Sequence, residues 1–230
     1  MSLYAIADLH LSLGTDKPMD IFGGGWDNYI ERLDKNWRST VKSEDTVVIA
    51  GDISWAMRLE QTFKDFSFIE SLPGRKIFLK GNHDYWWTTR KKIEAYLKEN
   101  NFKSISILFN SAEVVENFAV CGTRGWSYDC STQEDVKILN REVGRLTMSI
   151  EQARKLDREV IVFLHYPPVF SGYECTEIMN VLREYKIKKC YYGHIHGKQI
   201  GKKAITGFHN GIDFHMISSD QVGFVPVLVF

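Results

Sequence analysis

Five short apolar runs in this chain each break off in residues that can bind a metal or move a proton, and few folds can place five such ends together. Leu3-Tyr4-Ala5-Ile6-Ala7 ends in Asp8-Leu9-His10, Val47-Val48-Ile49-Ala50 in Gly51-Asp52, and Lys76-Ile77-Phe78-Leu79 in Lys80-Gly81-Asn82-His83-Asp84. Val160-Ile161-Val162-Phe163-Leu164 ends in His165, and Cys190-Tyr191-Tyr192 in Gly193-His194-Ile195-His196. A short apolar run reads as a buried strand, and ligands of open α/β sheets bind beyond the carboxyl ends of the strands. The five ends are therefore expected to converge on one rim. Five of the seven histidines fall in these stretches, while His209 and His215 lie in the tail.

Helical spacing fills the gaps between the runs. Tyr29, Ile30, Leu33, Trp37 and Val41 mark one face of a helix over 27–41, a second is expected from about Ser54 through Ile69 before Pro73-Gly74, and a third after Thr88 or Thr89 with Ile93, Tyr96 and Leu97. This alternation predicts a layered α/β domain with a largely parallel first sheet. From Ser104 to Phe109, Ala112 to Val115 and Phe118 to Gly122 the pattern is short and β-rich, which suggests antiparallel neighbours. Ser131 with Glu134 fits a capping box for a helix whose stripe is Leu139, Val143, Leu146, Ile150 and Ala153, ending near Asp157. Pro167-Pro168 turns the chain sharply after His165, a helix is expected from about Thr176 to Tyr185, and the tail from Ala204 to Phe230 alternates glycine turns with short strands. The stretch from Leu11 to Trp26, holding Gly23-Gly24-Gly25, reads as a mobile loop beside the rim, a substrate lid or a plain connection.

At 230 residues with 44% hydrophobic content the chain can bury a large core, and motifs running from Asp8 to His196 predict a single domain over 1–230. Zero formal net charge gives no general pull toward nucleic acid or anionic membrane. Cys121, Cys130, Cys175 and Cys190 show no C-x-x-C spacing, Met1 to Ala7 lacks the features of a secretory leader, and no apolar run approaches the ~18–20 residues of a spanning helix. The expectation is a soluble, cytoplasmic protein with reduced thiols.

A pair of divalent cations roughly 3.5–4 Å apart needs a bridging carboxylate, several imidazoles and further oxygen donors on rigid elements, and this chain supplies that set. Asp8-x-His10, Gly51-Asp52, Gly81-Asn82-His83-Asp84, His165 and Gly193-His194-x-His196 together resemble the calcineurin-like metallophosphoesterase superfamily, with all five blocks in family order. The resemblance implies an α/β fold, a two-sheet mixed β-sandwich flanked by helices, with two divalent metal ions at the strand ends. It implies that Asp8, His10 and His196 hold the first metal, Asn82, His165 and His194 the second, and that Asp52 bridges them. A metal-bound hydroxide would then attack phosphorus while His83 protonates the leaving oxygen and Asp84 orients His83. Such ligands suit Mn, Fe, Zn, Co or Ni.

The implied activity is hydrolysis of a phosphomonoester or phosphodiester. The rival is a catalytically inactive scaffold on the same fold, against which the intact ligand set speaks. Ile53-Ser54-Trp55 stands where protein Ser/Thr phosphatases of the superfamily carry an acidic-Arg-Gly element, which argues against that subgroup. Trp26, Trp55, Tyr85, Trp86, Trp87, Trp126 and Tyr128 either stack a nucleotide-like substrate or pack loops onto the core. Arg124, between Gly122 and Gly125, is either a phosphate partner or an exposed turn residue.

Overall fold

Side-chain alternation along the strands sets the layering. In the computed structural model, which describes residues 1–23, 25–126 and 132–230, β1 (Leu3–Ile6), β2 (Thr46–Ala50), β3 (Arg75–Leu79) and β4 (Ile105–Ile107) form one parallel row. The last strand, β13 (Val227–Leu228), closes the free edge of β1 in antiparallel sense. A second sheet contains β5 (Ala112–Val115), β6 (Phe118–Thr123), β7 (Glu159–Leu164), β10 (Lys189–Tyr192), β11 (Gly207–His209) and β12 (Ile212–Met216), in the order β11-β12-β10-β7-β6-β5. Its four inner strands are parallel and its two edges antiparallel. A small hairpin, β8 (Val169–Phe170) and β9 (Tyr173–Glu174), follows the two prolines.

Alternate residues Leu3, Ala5, Ala7, Val48, Ala50, Ile77 and Leu79 of the first sheet meet Val120, Ile161, Phe163 and Tyr191 of the second in one buried layer. The intervening residues face outward onto helices. Ile6, Val47, Ile49 and Phe78 pack with α1 (Tyr29–Thr40), α2 (Phe63–Ser71) and α3 (Arg90–Glu99) through Leu33, Trp37, Phe66, Ile69, Ile93 and Leu97. Cys121, Val162, Leu164 and Tyr192 pack with α4 (Gln133–Arg154) and α5 (Thr176–Glu184) through Leu146, Ile150, Ile178 and Leu182. The result is the mixed two-sheet sandwich flanked by helices that the family resemblance implied. Among the described residues no helix is long and apolar enough to cross a membrane.

Three local expectations are corrected. The helix expected from Ser54 starts later, as a 3-10 turn at Leu59–Thr62 that leads into α2. Residues 53–55 are held extended instead: Leu11 N donates to Ile53 O at 3.0 Å, and Trp55 N to Leu11 O at 2.9 Å. The segment read as antiparallel at Ser104 to Phe109 is β4, parallel to β3, because α3 between them forms a crossover that returns the chain in the same direction. Only β5 and β6 make the expected antiparallel pair. Finally, α4 is capped one residue later than expected, by Thr132, whose hydroxyl accepts from Asp135 N while the Asp135 carboxylate accepts from Thr132 N. Gly24, Tyr128, Cys130 and Ser131 lie outside the described residues.

Candidate metal centre

Each sheet delivers part of one cluster. Asp8 and His10 follow β1, Asp52 follows β2, and Asn82 and His83 follow β3, while His165 follows β7 and His194 and His196 follow β10. Asp8, His10 and His196 form one group whose possible ligand atoms lie within 4.8 Å of one another, and Asp52, His165 and His194 form a second. The groups interlock. His10 Nε2 stands 3.6 Å from Asp52 Oδ2, and His165 Nδ1 stands 3.8 Å from Asp8 Oδ1.

The strand ends turn under strain to achieve this. Asp8 (φ 61°), His10 (φ 45°), Asp52 (φ 51°) and His194 (φ 71°) all occupy the left-handed region, which side-chain-bearing residues adopt at a cost and which clusters at functional sites. Two glycines make room. A Cβ on Gly81 would overlap the Asp52 carboxylate, and one on Gly193 would lie 2.5 Å from both Ala7 Cβ and Asp8 Oδ2. The second carboxylate oxygens are tied to backbone, with His83 N donating to Asp52 Oδ1 at 2.7 Å and His194 N to Asp8 Oδ2 at 2.8 Å. Asp8 Oδ1 and Asp52 Oδ2 remain buried without a hydrogen-bond partner.

Those orphaned oxygens call for positive charge, and protonation tells the same story. Burial would raise the Asp8 pKa, but the charges of His196, His165 and His10 hold it well below the carboxylate range. Burial, then the charge of Asp8, pushes Asp52 well above it. Burial lowers the pKa of His10 and His165 and takes that of His194 down to about 3, which favours the neutral form that ligates a metal. His196 is the exception. Burial alone would lower it, but the charge of Asp8 and a hydrogen bond to Asp220 push it up to about 10, so a proton sits where a cation would offset Asp8.

His165 repeats the point. With its Nδ1–H directed at Ala50 O (3.1 Å), its Nε2 offers a lone pair 2.6 Å from Asn82 Oδ1, another acceptor. Two acceptors face each other with no donor between them. Neutral imidazoles, orphaned carboxylate oxygens and apposed lone pairs fit divalent cations better than they fit each other.

The expectation that Asp84 orients His83 is not met. Buried Asp84 accepts from the backbone N–H groups of Asp52, Ile53, Ser54 and Gly81 and from Trp86 Nε1, so it fixes the loop that carries Asp52. Burial, then the Asp52 charge, raises its pKa to about 6. His83 Nδ1 instead meets the Tyr85 hydroxyl at 3.1 Å. Asp220 was missed by sequence reasoning. It follows β12 and receives His196 Nδ1 at 2.9 Å and Gly197 N at 2.8 Å, the carboxylate that commonly backs a ligating imidazole. Its signal was the polar Ser218-Ser219-Asp220 after the alternating stretch Ile212-Asp213-Phe214-His215-Met216-Ile217, a weaker mark than the apolar runs of the other five ends.

Of the described rim aromatics, Trp86 and Trp87 are buried in the core, while Trp26 meets His10 and His196 and Trp55 meets His10 and His83. Tyr85 reaches His83, and Trp126 packs on Tyr166. Arg124 lies over Trp126 and 3.5 Å from Glu142, while its carbonyl holds the backbone of His165 and Tyr166.

The sequence profile of the calcineurin-like phosphoesterase family matches residues 1–198, a span that contains every one of the five strand-end blocks. The chain belongs to that family. A probable glycerophosphodiester phosphodiesterase of Arcobacter nitrofigilis is 26% identical to this chain over 147 residues, 60% of the chain and 47% of that protein. The chain thus spans about half the length of that curated relative. A crystal structure of a protein of unknown function from Aquifex aeolicus shares the fold at TM-score 0.53 and 16% identity, covering 99% of this chain and 95% of that one. The phosphopantetheinyl hydrolase of Mycobacterium tuberculosis does so at TM-score 0.51 and 16% identity, covering 94% and 88%.

Proposed function

We propose that this chain hydrolyses a phosphoric ester, monoester or diester, with two divalent cations. Asp8, His10 and His196 would hold one, Asn82, His165 and His194 the other, and Asp52 would lie between them. The observation that carries this reading is the pair of buried, unpartnered oxygens, Asp8 Oδ1 facing His165 and His196 of the second sheet and Asp52 Oδ2 facing His10 and His165, one from each sheet. Cations bound there would offset charge on the phosphoryl oxygens and lower the pKa of water, so that no protein nucleophile is needed.

The chain's own residues supply the rest. His83 is half-buried at the edge of the cluster, free of the two ligand groups, and we assign it the proton for the leaving oxygen. Burial and the charge of His165 lower its pKa, and the negative charge of an ester beside it would reverse that shift. Tyr85 holds the ring through Nδ1, and Asp84 serves by fixing the Asp52 and Gly81 backbones. Because both sheets supply ligands, residues 1–230 act as one catalytic unit in this reading. A nucleotide-like substrate and manganese as the working metal belong to the same proposal, supported by Trp55 beside the cluster and by the hard and borderline character of the donors.

The test is hydrolysis of nitrophenyl monoester and diester by chelator-stripped protein reloaded with manganese. Turnover restored by metal upholds the proposal, and its absence with two metals bound per chain would favour the scaffold.

A further inference from the structure

Beside the Asp8, His10 and His196 group lies a cleft of about 590 Å3, walled by Met19, Trp26, Trp55 and Ile200, with His10, His83 and His196 along its floor. Small-molecule sites have this size and this mixture of apolar wall and few placed polar groups. Trp55 is its organising side chain. The indole stacks on His10 at 4.9 Å between centroids and 23° between planes, and its Nε1 donates to Met19 Sδ at 3.2 Å, so both its position and its tilt are fixed. The Lys17 ammonium stands 5.0 Å over the same ring. Trp26, 5% exposed, meets His10 and His196 edge-on, while Ile200 is 53% exposed.

We propose that this cleft receives a planar aromatic group of the ester's leaving alcohol, laid against Trp55. The class of substrate is then an aryl or nucleoside phosphoester in preference to an alkyl one. This rests on the phosphoester reading given above. His83, assigned the proton for the leaving oxygen, also lines the cleft and lies 4.6 Å from Trp55 between ring centroids, so the group lodged here is the one that departs. A ring stacked on an indole adds substantial affinity. Ile200 exposes apolar surface that an incoming ring would cover.

The test uses the full chain loaded with zinc, a d10 ion that leaves nearby resonances sharp. Methyl NMR of the 13C-methionine-labelled protein, with Met19 assigned through Met19→Leu, is followed against phenylphosphonate, thymidine 5′-phosphonate and methylphosphonate, whose carbon–phosphorus bonds resist hydrolysis. The expected result is a shift of the Met19 methyl with the ring-bearing probes and none with methylphosphonate. Trp55→Ala should weaken the ring-bearing probes about tenfold or more, Trp55→Phe less, each by a larger factor than it weakens methylphosphonate. Ile200→Ser, at an exposed position, weakens the same probes without touching the core. A response to phenylphosphonate alone identifies simple aryl esters, and a response to both identifies nucleosides as well. An unmoved Met19 methyl at saturation, with equal Kd for phenylphosphonate and methylphosphonate, overturns the assignment. Ring-selective binding by a chain that hydrolyses no ester when reloaded with manganese would instead overturn the phosphoester reading and uphold the cleft.

Discussion

Asp52 and His83 carry different burdens, and substitution separates them. Asp52→Asn keeps the shape of the side chain but removes the charge that faces His10 and His165, at 3.6 and 3.5 Å. We expect the variant to lose at least about a hundredfold in kcat, a loss typical of removing one group that stabilises transition-state charge, and to bind fewer than two metals by elemental analysis. His83→Ala should keep both metals while turnover falls by about 10²–10⁴, with a smaller loss for nitrophenyl esters, whose leaving group needs no proton. Metal lost from the His83 variant would contradict its role. Asp220→Asn weakens the partner of His196 and should reduce metal affinity about 10–100-fold by calorimetric titration. The seven expected ligands were legible because each ends an apolar run. Asp220 was obscured by the two serines before it, and the contacts of Asp84 were invisible because they go to backbone atoms.

At the scale of elements, what sequence could not reveal is pairing that depends on distant partners. Ser54 looks like the start of a helix, but Leu11 draws the backbone around it into an extended bridge, and only beyond Arg58 does the helical spacing win. The β4 segment looks like its successors, but its partner precedes it across α3. Gly193 is a testable joint. Gly193→Ala drives a methyl group into Ala7 and the Asp8 carboxylate and should cost about 1–3 kcal/mol in a urea titration, with metal affinity falling alongside.

The end of α2 offers a pH test. Fully buried Lys76 of β3 donates from Nζ to Leu72 O (2.7 Å) and Gly74 O (2.9 Å), and burial pulls its pKa from 10.5 down to about 8. Between these values the unfolded chain holds a proton that the folded one has released, so this group adds stability as pH rises from 8 to 10.5 and withdraws it as pH falls back to 8. The urea midpoint of the natural chain should therefore gain on that of Lys76→Met across that interval.

For the whole molecule, the alternation of apolar runs with helical spacing was enough to foresee a layered α/β domain, because strands such as β2 are buried throughout, while the two-sheet sandwich came from the family resemblance. The approach of the two sheets at one cluster is not written in any single segment; it needs Gly193 beside Ala7 and Asp8, and Gly51 beside His165. Metal should accordingly act on the whole fold. At a free metal concentration a hundred times Kd, a bound cation adds about 2.7 kcal/mol, so chelation should lower Tm by several degrees.

The first sheet supplies Asp8, His10, Asp52 and Asn82, and the second His165, His194 and His196. A cation shared among them would be a rivet through both plates at one end of the sandwich, with no second such group of ligands among the described residues at the far end. Amide hydrogens next to the rivet, those of Gly51, His165 and Gly193, should then exchange far more slowly in the loaded protein, while those at the opposite ends of the same strands, such as Glu159 and Lys189, stay nearly as they were. The fold would breathe from one side only, like a book held at its spine.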